Sequence, residues 1–246
     1  MQHRLVAPRS IRPGQGAVVI WVSSLAWLVL IVFTASGNGA VIRHDRLLVG
    51  GPPLWLATVL FVCGWQVMLL AMMLPASLHA FTRQAVGRQM ASFGLGYLAV
   101  WSAFGLLVFF FDAGVHATVN HWPWLASHPW LIAGATLVVA GTYQLSDLKA
   151  RSLNACRQLK HTGNGRSPAV EGATHGLNCV GSSWGLMLLA FALAAGSLAA
   201  MAAITLLMVW EITPWGGSVV KGLGYGLIAL GVFVLAGPIQ APPWWH

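Results

Sequence analysis

The sequence predicts an all-α integral membrane protein, a single-domain bundle of about six transmembrane helices. Of its 246 residues, 57% are hydrophobic and only 7% are charged, whereas soluble domains carry roughly 25% charged residues. Long apolar runs recur along the chain, and most lysines and arginines lie between them. A soluble fold of this size cannot hide so much apolar surface, so we expect the lipid bilayer to be its solvent.

Each predicted span is a mostly apolar segment of roughly the 20 residues that a helix needs to cross the hydrocarbon core. The fourth segment is short, and the fifth is long enough to tilt or to protrude from the bilayer. The first exceeds the apolar region of a signal peptide, which has about 7–15 residues, so we expect it to be retained as a span. The six segments are residues 17–36, 54–78, 92–111, 130–145, 184–210 and 219–239.

The charge distribution predicts the orientation. The net charge of +8 comes from 13 Lys and Arg against 5 Asp and Glu. Because the basic residues flank apolar runs, they indicate topology and contact with anionic lipid, and not binding of nucleic acid. Most lie in the N-terminal tail and in the loops after the second and fourth spans, and Arg43, Arg46 and Lys221 lie in the other loops. The positive-inside rule then predicts a multi-pass protein of the inner (plasma) membrane with both termini in the cytoplasm.

Small residues recur every four positions in the last two predicted spans. Such ridges let helix backbones approach closely in lipid. We therefore expect contacts with neighbouring helices at Ala192, Gly196 and Ala200 in the fifth span and at Gly222 and Gly226 in the sixth.

Soft side chains are concentrated in the second predicted span. Met68 and Met72 are four residues apart and share a helix face, and Met73 and Pro75 follow. Thioether sulfur is a ligand suited to Cu(I). Methionine also fills irregular gaps between helices, and for this group alone packing is the simpler interpretation.

A second group combines thiols with an imidazole. Cys156, His175 and Cys179 precede the fifth predicted span, and a helix would place His175 and Cys179 on one face. Thiolate and imidazole together suit zinc or copper, so these residues are candidate metal ligands near the cytoplasmic face. The alternative is an ordinary buried thiol and a solvated histidine. With Cys63, the chain has 3 cysteines, which do not make a disulfide framework.

A third group is predicted on the extracytoplasmic side. Asp112 and His116 are four residues apart, and His121 and His128 follow. Such a loop is able to take up a divalent metal or to sense pH, although its loose spacing is more typical of a solvated interfacial loop. Glu211 ends the fifth predicted span on this side and, if it faces inward, is a candidate oxygen ligand or proton acceptor.

Three motifs occur in order between residues 54 and 235. They are Ala-Met-Met-x-Pro ending at Pro75, Tyr-Gln-Leu beginning at Tyr143, and His-Gly-x-x-Cys from His175 to Cys179. In combination and spacing, the chain resembles the bacterial family of predicted metal-binding integral membrane proteins of unknown function. The resemblance implies a membrane scaffold with a metal site, and it implies no particular reaction.

The chain departs from this family where cysteines are usual, at the positions of Ser152, Ser182 and Ser183. A hydroxyl is a much poorer ligand for a soft metal than a thiolate. The resemblance therefore leaves two alternatives, a smaller metal site or a scaffold that has lost metal binding. The positions that match the family's candidate ligands are Cys156, His175, Cys179, Met72, Met73 and Glu211.

These features favour a protein that is not an enzyme, because the sequence has no Gly-rich phosphate loop, no HExxH motif and no nucleophile elbow. The first hypothesis is a metal-handling protein that binds a copper or zinc ion through Cys156, His175 and Cys179, with Met72 as a further candidate ligand. It would hold the ion or pass it on to a metal-accepting protein. The alternative is a structural or accessory subunit that contacts other membrane subunits in a larger complex. A small transporter or channel ranks third, because few polar side chains are expected in the middle of the spans.

Overall fold

The computed structural model describes residues 13–37, 52–84, 86–157, 167–193, 197–213 and 215–237. Within these ranges the chain is all-helical, which confirms the predicted fold class. In chain order, its helices are α1 (Pro13–Ala35), α2 (Leu54–Phe81), α3 (Arg88–His121), α4 (Pro123–Ala126), α5 (Pro129–Gln144), α6 (Asp147–Arg157), α7 (Pro168–Leu193), α8 (Leu198–Ile212) and α9 (Gly216–Ala236).

Several of these helices have the length and composition of membrane spans. Four of them, α1, α2, α3 and α9, pass both criteria, and the pair α5 and α6, bent by 62° at its break, raises the number to 5 if it is one span. The 15-residue α8 is apolar but short. The 26-residue α7 is long enough, but its first half carries Glu171, His175 and Asn178. The described helices therefore support a membrane protein.

The first two helices run antiparallel. Gln15 Nε2 donates a hydrogen bond to Gln84 O at 2.8 Å, so α1 begins beside the turn between α2 and α3. Further along, Ser23 Oγ donates to Ala71 O at 3.1 Å. Later residues of α1 thus meet earlier residues of α2. The polar side chains of α1 bond to α2 backbone oxygens, which satisfies them inside an apolar bundle.

Helices α3 and α7 run parallel and in close contact. A Cβ at Gly172 would collide with the backbone of Phe93, and a Cβ at Gly176 would lie 3.3 Å from Tyr97 O. The later contact residue of α7 thus meets the later contact residue of α3, so the two helices run in the same direction. Small residues permit this approach, as they do between helices in lipid.

The prediction of one span over residues 184–210 is wrong. Helix α7 ends at Leu193, and Ser197 has an extended backbone (φ −109°, ψ 100°). The Ser197 hydroxyl then caps α8 by accepting a hydrogen bond from Ala200 N at 3.3 Å. Because an uninterrupted apolar run contains this break, hydropathy alone merges two helices into one.

Helices α5 and α9 pack antiparallel through glycines. A Cβ at Gly141 would lie 2.8 Å from Gly224 O, and a Cβ at Gly231 would lie 2.9 Å from Gly134 O. The prediction for Gly222 and Gly226 is not met among the described residues, none of which lies within 4 Å of a Cβ placed at either position. Of the positions predicted in the fifth span, the side chains of 192 and 196 lie outside the described residues, and Ala200 is half-buried on α8.

The lysines and arginines of the described ranges lie on elements that meet at one end of the bundle, which we call the basic end. His79 Nε2 lies 3.0 Å from Cys156 O and joins the last turns of α2 and α6 there. Helix α9 begins at the same end, because Gly216 lies against Glu211 O and the Arg157 side chain. The basic end carries Arg83, Arg88, Lys149, Arg151, Arg157 and Lys221.

The last described helix finishes at the other end. A Cβ at Gly134, near the start of α5, would lie 2.6 Å from Leu235 Cγ. The described helices therefore begin at the basic end and finish opposite it, which contradicts the expectation that the first and last spans start and finish on one side. Glu211 and Lys221, expected opposite Lys149, lie at the same end as Lys149. The undetected break before α8 accounts for both differences, since one additional helix reverses the direction of every later helix.

Candidate metal centre

Helix α6 brings the first thiol into the bundle. Its residues Lys149, Leu153 and Cys156 are buried, whereas Arg151 and Asn154 are exposed. Spacings of four and three residues follow one face of a helix, so α6 is amphipathic and turns that face toward the bundle. The Cys156 residue is 1% exposed.

Cys179 on α7 supplies the second thiol. It is also 1% exposed, and it lies within electrostatic range of Cys156. Tyr97 Oη lies 3.3 Å and Ser77 Oγ 3.9 Å from Cys179 Sγ. Both cysteines are free thiols. Two thiols on separate helices thus meet in a buried site that also contains hydroxyl groups.

His175 lies one turn before Cys179 on the same buried side of α7, as the spacing predicted. Its ring stacks on that of Tyr97 with 5.8 Å between centroids, and its Nε2 lies 3.3 Å from Ser77 Oγ. The other ring nitrogen, Nδ1, is buried with no hydrogen-bond partner among the described residues. Leaving a polar atom unpaired inside a protein is costly, so Nδ1 is a donor or ligand atom that the described side chains do not use.

A buried ion pair lies beside the thiols. Lys149 Nζ is 2.7 Å from Glu211 Oε2, and the two side chains are 1% and 3% exposed. Gln144 Nε2 donates to Glu211 Oε1 at 2.7 Å, Lys149 also donates to Ser182 O, and Arg157 donates to Glu211 O. These bonds tie α5, α6, α7 and α8 together. Removing one partner of such a pair typically costs roughly 3–5 kcal/mol, because the remaining charge is buried alone.

The predicted ligands are brought together only in part. Cys156 and Cys179 meet, and His175 lies one turn away. Within the described ranges, however, no group of three or more His, Cys, Asp or Glu side chains is arranged to hold a metal ion. Met72 and Met73 are 0% exposed and pack in the hydrophobic core. The two thiols are therefore the closest approach to a metal site that the described residues offer.

Glu211 does not occupy its expected place. It was expected beside Asp112 and the histidines at the outer face, but it pairs with Lys149 at the basic end. Both of its carboxylate oxygens accept hydrogen bonds, from Lys149 and Gln144. The prediction of an outer oxygen ligand at Glu211 is therefore wrong, for the same reason that the fifth span was wrong.

Asp112 and His116 lie far from the thiols. His116 Nε2 is 3.9 Å from Asp112 Oδ2, one turn along α3. Tyr97, which contacts Cys179, belongs to the same helix, and the rise from Tyr97 to Asp112 is about 22 Å. The structure therefore keeps the two predicted groups apart, as the sequence indicated.

The two histidines that follow have local partners. His121 Nδ1 donates to Ala117 O at 2.7 Å. The ring of His128 lies between those of Trp124 and Trp130, at centroid distances of 4.6 Å and 4.7 Å. Tryptophan and histidine packed together at a helix end are typical of a membrane interface.

The serines at the family's cysteine positions surround the thiol pair. Ser182 Oγ and Ser183 Oγ donate to Cys179 O at 2.9 Å and 2.7 Å. Ser152 lies one turn before Cys156, and its Oγ would be 2.6 Å from a Cβ at Gly181. Hydroxyls thus line the contact between α6 and α7 at the positions where the resemblance implies further thiols.

Sequence reasoning missed Ser77, Tyr97 and the local role of Lys149. Ser77 follows Met73 by four residues, so helical spacing from the methionine motif was a usable signal. Lys149 was counted only as a loop charge. Nothing in the sequence pointed to Tyr97, because its contact with Cys179 joins residues of two different helices.

The family comparison agrees with this picture at a coarse level. A family described as PpoB2, copper chaperone, matches residues 62–234, which include both thiols and every helix from α3 to α8. No curated protein and no solved structure is significantly similar to the chain. The family match covers well over half of the sequence, and the chain belongs to the PpoB2 copper chaperone family.

Proposed function

We propose that this protein binds Cu(I) between Cys156 and Cys179 at the basic end of a membrane-embedded bundle and passes the ion to an acceptor protein. The observation that carries the proposal is that two buried thiols lie at the contact between α6 and α7, where Ser152 Oγ would be 2.6 Å from a Cβ at Gly181, and within electrostatic range of each other. Membership of a copper chaperone family supports the choice of cargo.

The donor set favours copper over zinc. Thiolates select soft ions such as Cu(I). Structural zinc sites take four tetrahedral ligands and catalytic ones take three and a water, but the described residues offer no group of three His, Cys, Asp or Glu. Two thiols suffice for Cu(I), which forms stable two-coordinate thiolate complexes. His175 Nδ1, buried and without a hydrogen-bond partner among the described residues, is the candidate for a third ligand after a ring rotation.

The position of the thiols suits holding and release. Cys156 lies on α6, which exposes one whole face, including Leu148 and Arg151, and joins α5 at a 62° bend. Moving this single helix would separate the two sulfurs and open the site toward the basic end. We also propose that the protein has no enzymatic activity, with which membership of a copper chaperone family is compatible.

We also propose that the basic end faces the cytoplasm. The described lysines and arginines lie there, as the positive-inside rule requires of the cytoplasmic side. In this proposal α1, α2, α3, α5, α7, α8 and α9 each cross the membrane once, the 15-residue α8 included. An odd number of crossings results, with the end of α9 on the extracytoplasmic side of a plasma membrane.

A copper titration tests the binding proposal. The full chain in lipid nanodiscs is titrated anaerobically with Cu(I) against a chromophoric Cu(I) chelator. We expect one ion per chain, and we expect Cys156→Ser and Cys179→Ser each to abolish competition with the chelator. Cys63→Ser is the matched control, because Cys63 is exposed and lies on another helix. If all three variants bind Cu(I) equally, or if the wild type binds no Cu(I), the binding proposal is rejected and only the scaffold hypothesis remains.

A further inference from the structure

Binding of Cu(I) by two thiols changes the charge of the buried site. When two thiols bind Cu(I), two S–H bonds break, two S–Cu bonds form and two protons leave to water. The resulting complex carries one negative charge. At a buried site that charge is unfavourable unless a cation lies nearby, because the effective dielectric constant is low.

The ion-pair network beside the thiols has a positive charge to spare. Lys149 pairs with the Glu211 carboxylate and Arg157 donates to the Glu211 backbone oxygen, so two cations lie beside a single carboxylate. Lys149 interacts electrostatically with Cys179 and Cys156. Arg157 is adjacent to Cys156 in sequence, and its Nε is buried with no hydrogen-bond partner in the described part of the chain. An unpaired N–H of a guanidinium group is a donor for an anion.

We propose that Lys149 and Arg157 are positioning residues that supply the counter-charge of the copper-loaded thiol pair, with Glu211 holding Lys149 through its carboxylate and Arg157 through its backbone oxygen. This inference rests on the proposed function. Before loading, when both thiols carry their protons, the network carries the surplus charge. After loading, the surplus cation and the negative complex cancel, so the copper-bound site as a whole is neutral.

The competing interpretation is that the ion pair only fastens α8 to α6. The two interpretations predict opposite changes in Cu(I) affinity for the variant that lacks the Glu211 carboxylate. If the pair is only a fastener, any loss of a partner weakens the bundle and the site with it. If the cations supply counter-charge, removing the carboxylate leaves more positive charge beside the thiols and strengthens copper binding.

The experiment measures Cu(I) affinity by chelator competition in nanodiscs, with thermal unfolding recorded for every variant. We expect Lys149→Gln and Arg157→Gln to weaken binding on the order of tenfold, and Glu211→Gln to strengthen it. Arg151→Gln is the matched control, since it removes an exposed cation from the same helix and should leave the affinity unchanged.

A charge reversal covers the case in which Lys149→Gln does not fold. In Lys149→Glu with Glu211→Lys the pair is kept, but the carboxylate now lies next to the thiols, and we expect weaker copper binding than in the wild type. Wild-type affinity in the reversed protein, or weaker binding by Glu211→Gln, would overturn the inference. Failure of the wild type itself to bind Cu(I) would instead reject the proposed function.

Discussion

Lys149 Nζ lies 2.7 Å from Glu211 Oε2, although 62 residues separate the two in the chain. The contact fixes the last turn of α8 beside the first turn of α6. A single helix through residues 184–210 would carry Glu211 to the opposite end of the bundle. The ion pair is therefore the clearest evidence that α7 and α8 are two helices running in opposite directions.

The helix directions predict where reporter fusions become active. A topology reporter joined after Gly237, at the end of α9, should report the extracytoplasmic side, because the described helices begin and finish at opposite ends. The same reporter after Gln84, in the turn between α2 and α3, should report the cytoplasm and serves as the control. Cytoplasmic signals at both sites would restore the even-numbered topology.

Glycine packing between α5 and α9 predicts a stability difference between two neighbouring positions. Gly224→Val should destabilise the bundle by about 1–3 kcal/mol, since its side chain would collide with Leu145, whose Cδ2 lies 2.7 Å from the Cβ position. Gly222→Val should have little effect, because the space there is open. Thermal unfolding of both variants in one detergent checks the prediction, and equal loss in both would contradict the α5–α9 packing.

Tyr97 should support copper binding without being a ligand. Its hydroxyl lies 3.3 Å from Cys179 Sγ, and a hydrogen bond to a thiolate stabilises the charged form. Tyr97→Phe should therefore weaken Cu(I) binding about tenfold or more, as the loss of an outer partner of a metal ligand does. Tyr225→Phe, at an exposed hydroxyl on α9, is the control. Unchanged affinity in Tyr97→Phe would place the bound ion away from Cys179.

Restoring a family cysteine should enlarge the site. Ser182 lies one turn from Cys179 and donates to its carbonyl oxygen at 2.9 Å, so Ser182→Cys adds a third thiol near the pair. We expect tighter Cu(I) binding and measurable zinc binding, since zinc takes more ligands than Cu(I). Ser218→Cys, on the exposed surface of α9, controls for the added thiol. Identical metal titrations for the two variants would argue against the proposed location.

Local patterns in the sequence predicted much of the fold. Helices α1, α2, α3, α5 and α9 overlap five of the six segments predicted as approximate spans. The shared face of His175 and Cys179 also followed from spacing alone. These features depend on neighbours along one helix, and sequence records such neighbours directly.

The break at Ser197 escaped prediction because apolar residues flank it on both sides, and hydropathy does not distinguish a long span from two short helices. The partners of Glu211 were not predicted, because they lie on other helices. Lys149 was counted as a solvated loop charge, yet it is 1% exposed. Predicting the pair would have required knowing that α8 returns to the basic end.

The sequence by itself determined that the lipid bilayer is the expected surroundings of this protein and that its fold is helical. It also determined which thiol, thioether and imidazole groups are available for a soft-metal site. Only the tertiary structure decided that Cys156 and Cys179 are buried within electrostatic range of each other, that Ser77 and Tyr97 contact Cys179, and that Glu211 belongs to the same end as Lys149. The physical reason is the distance along the chain over which sequence patterns carry information. Hydropathy and helical periodicity describe residues that are one or two helical turns apart. The site, in contrast, is made by side chains from α2, α3, α6 and α7, and their positions depend on the direction and packing of every helix in the bundle.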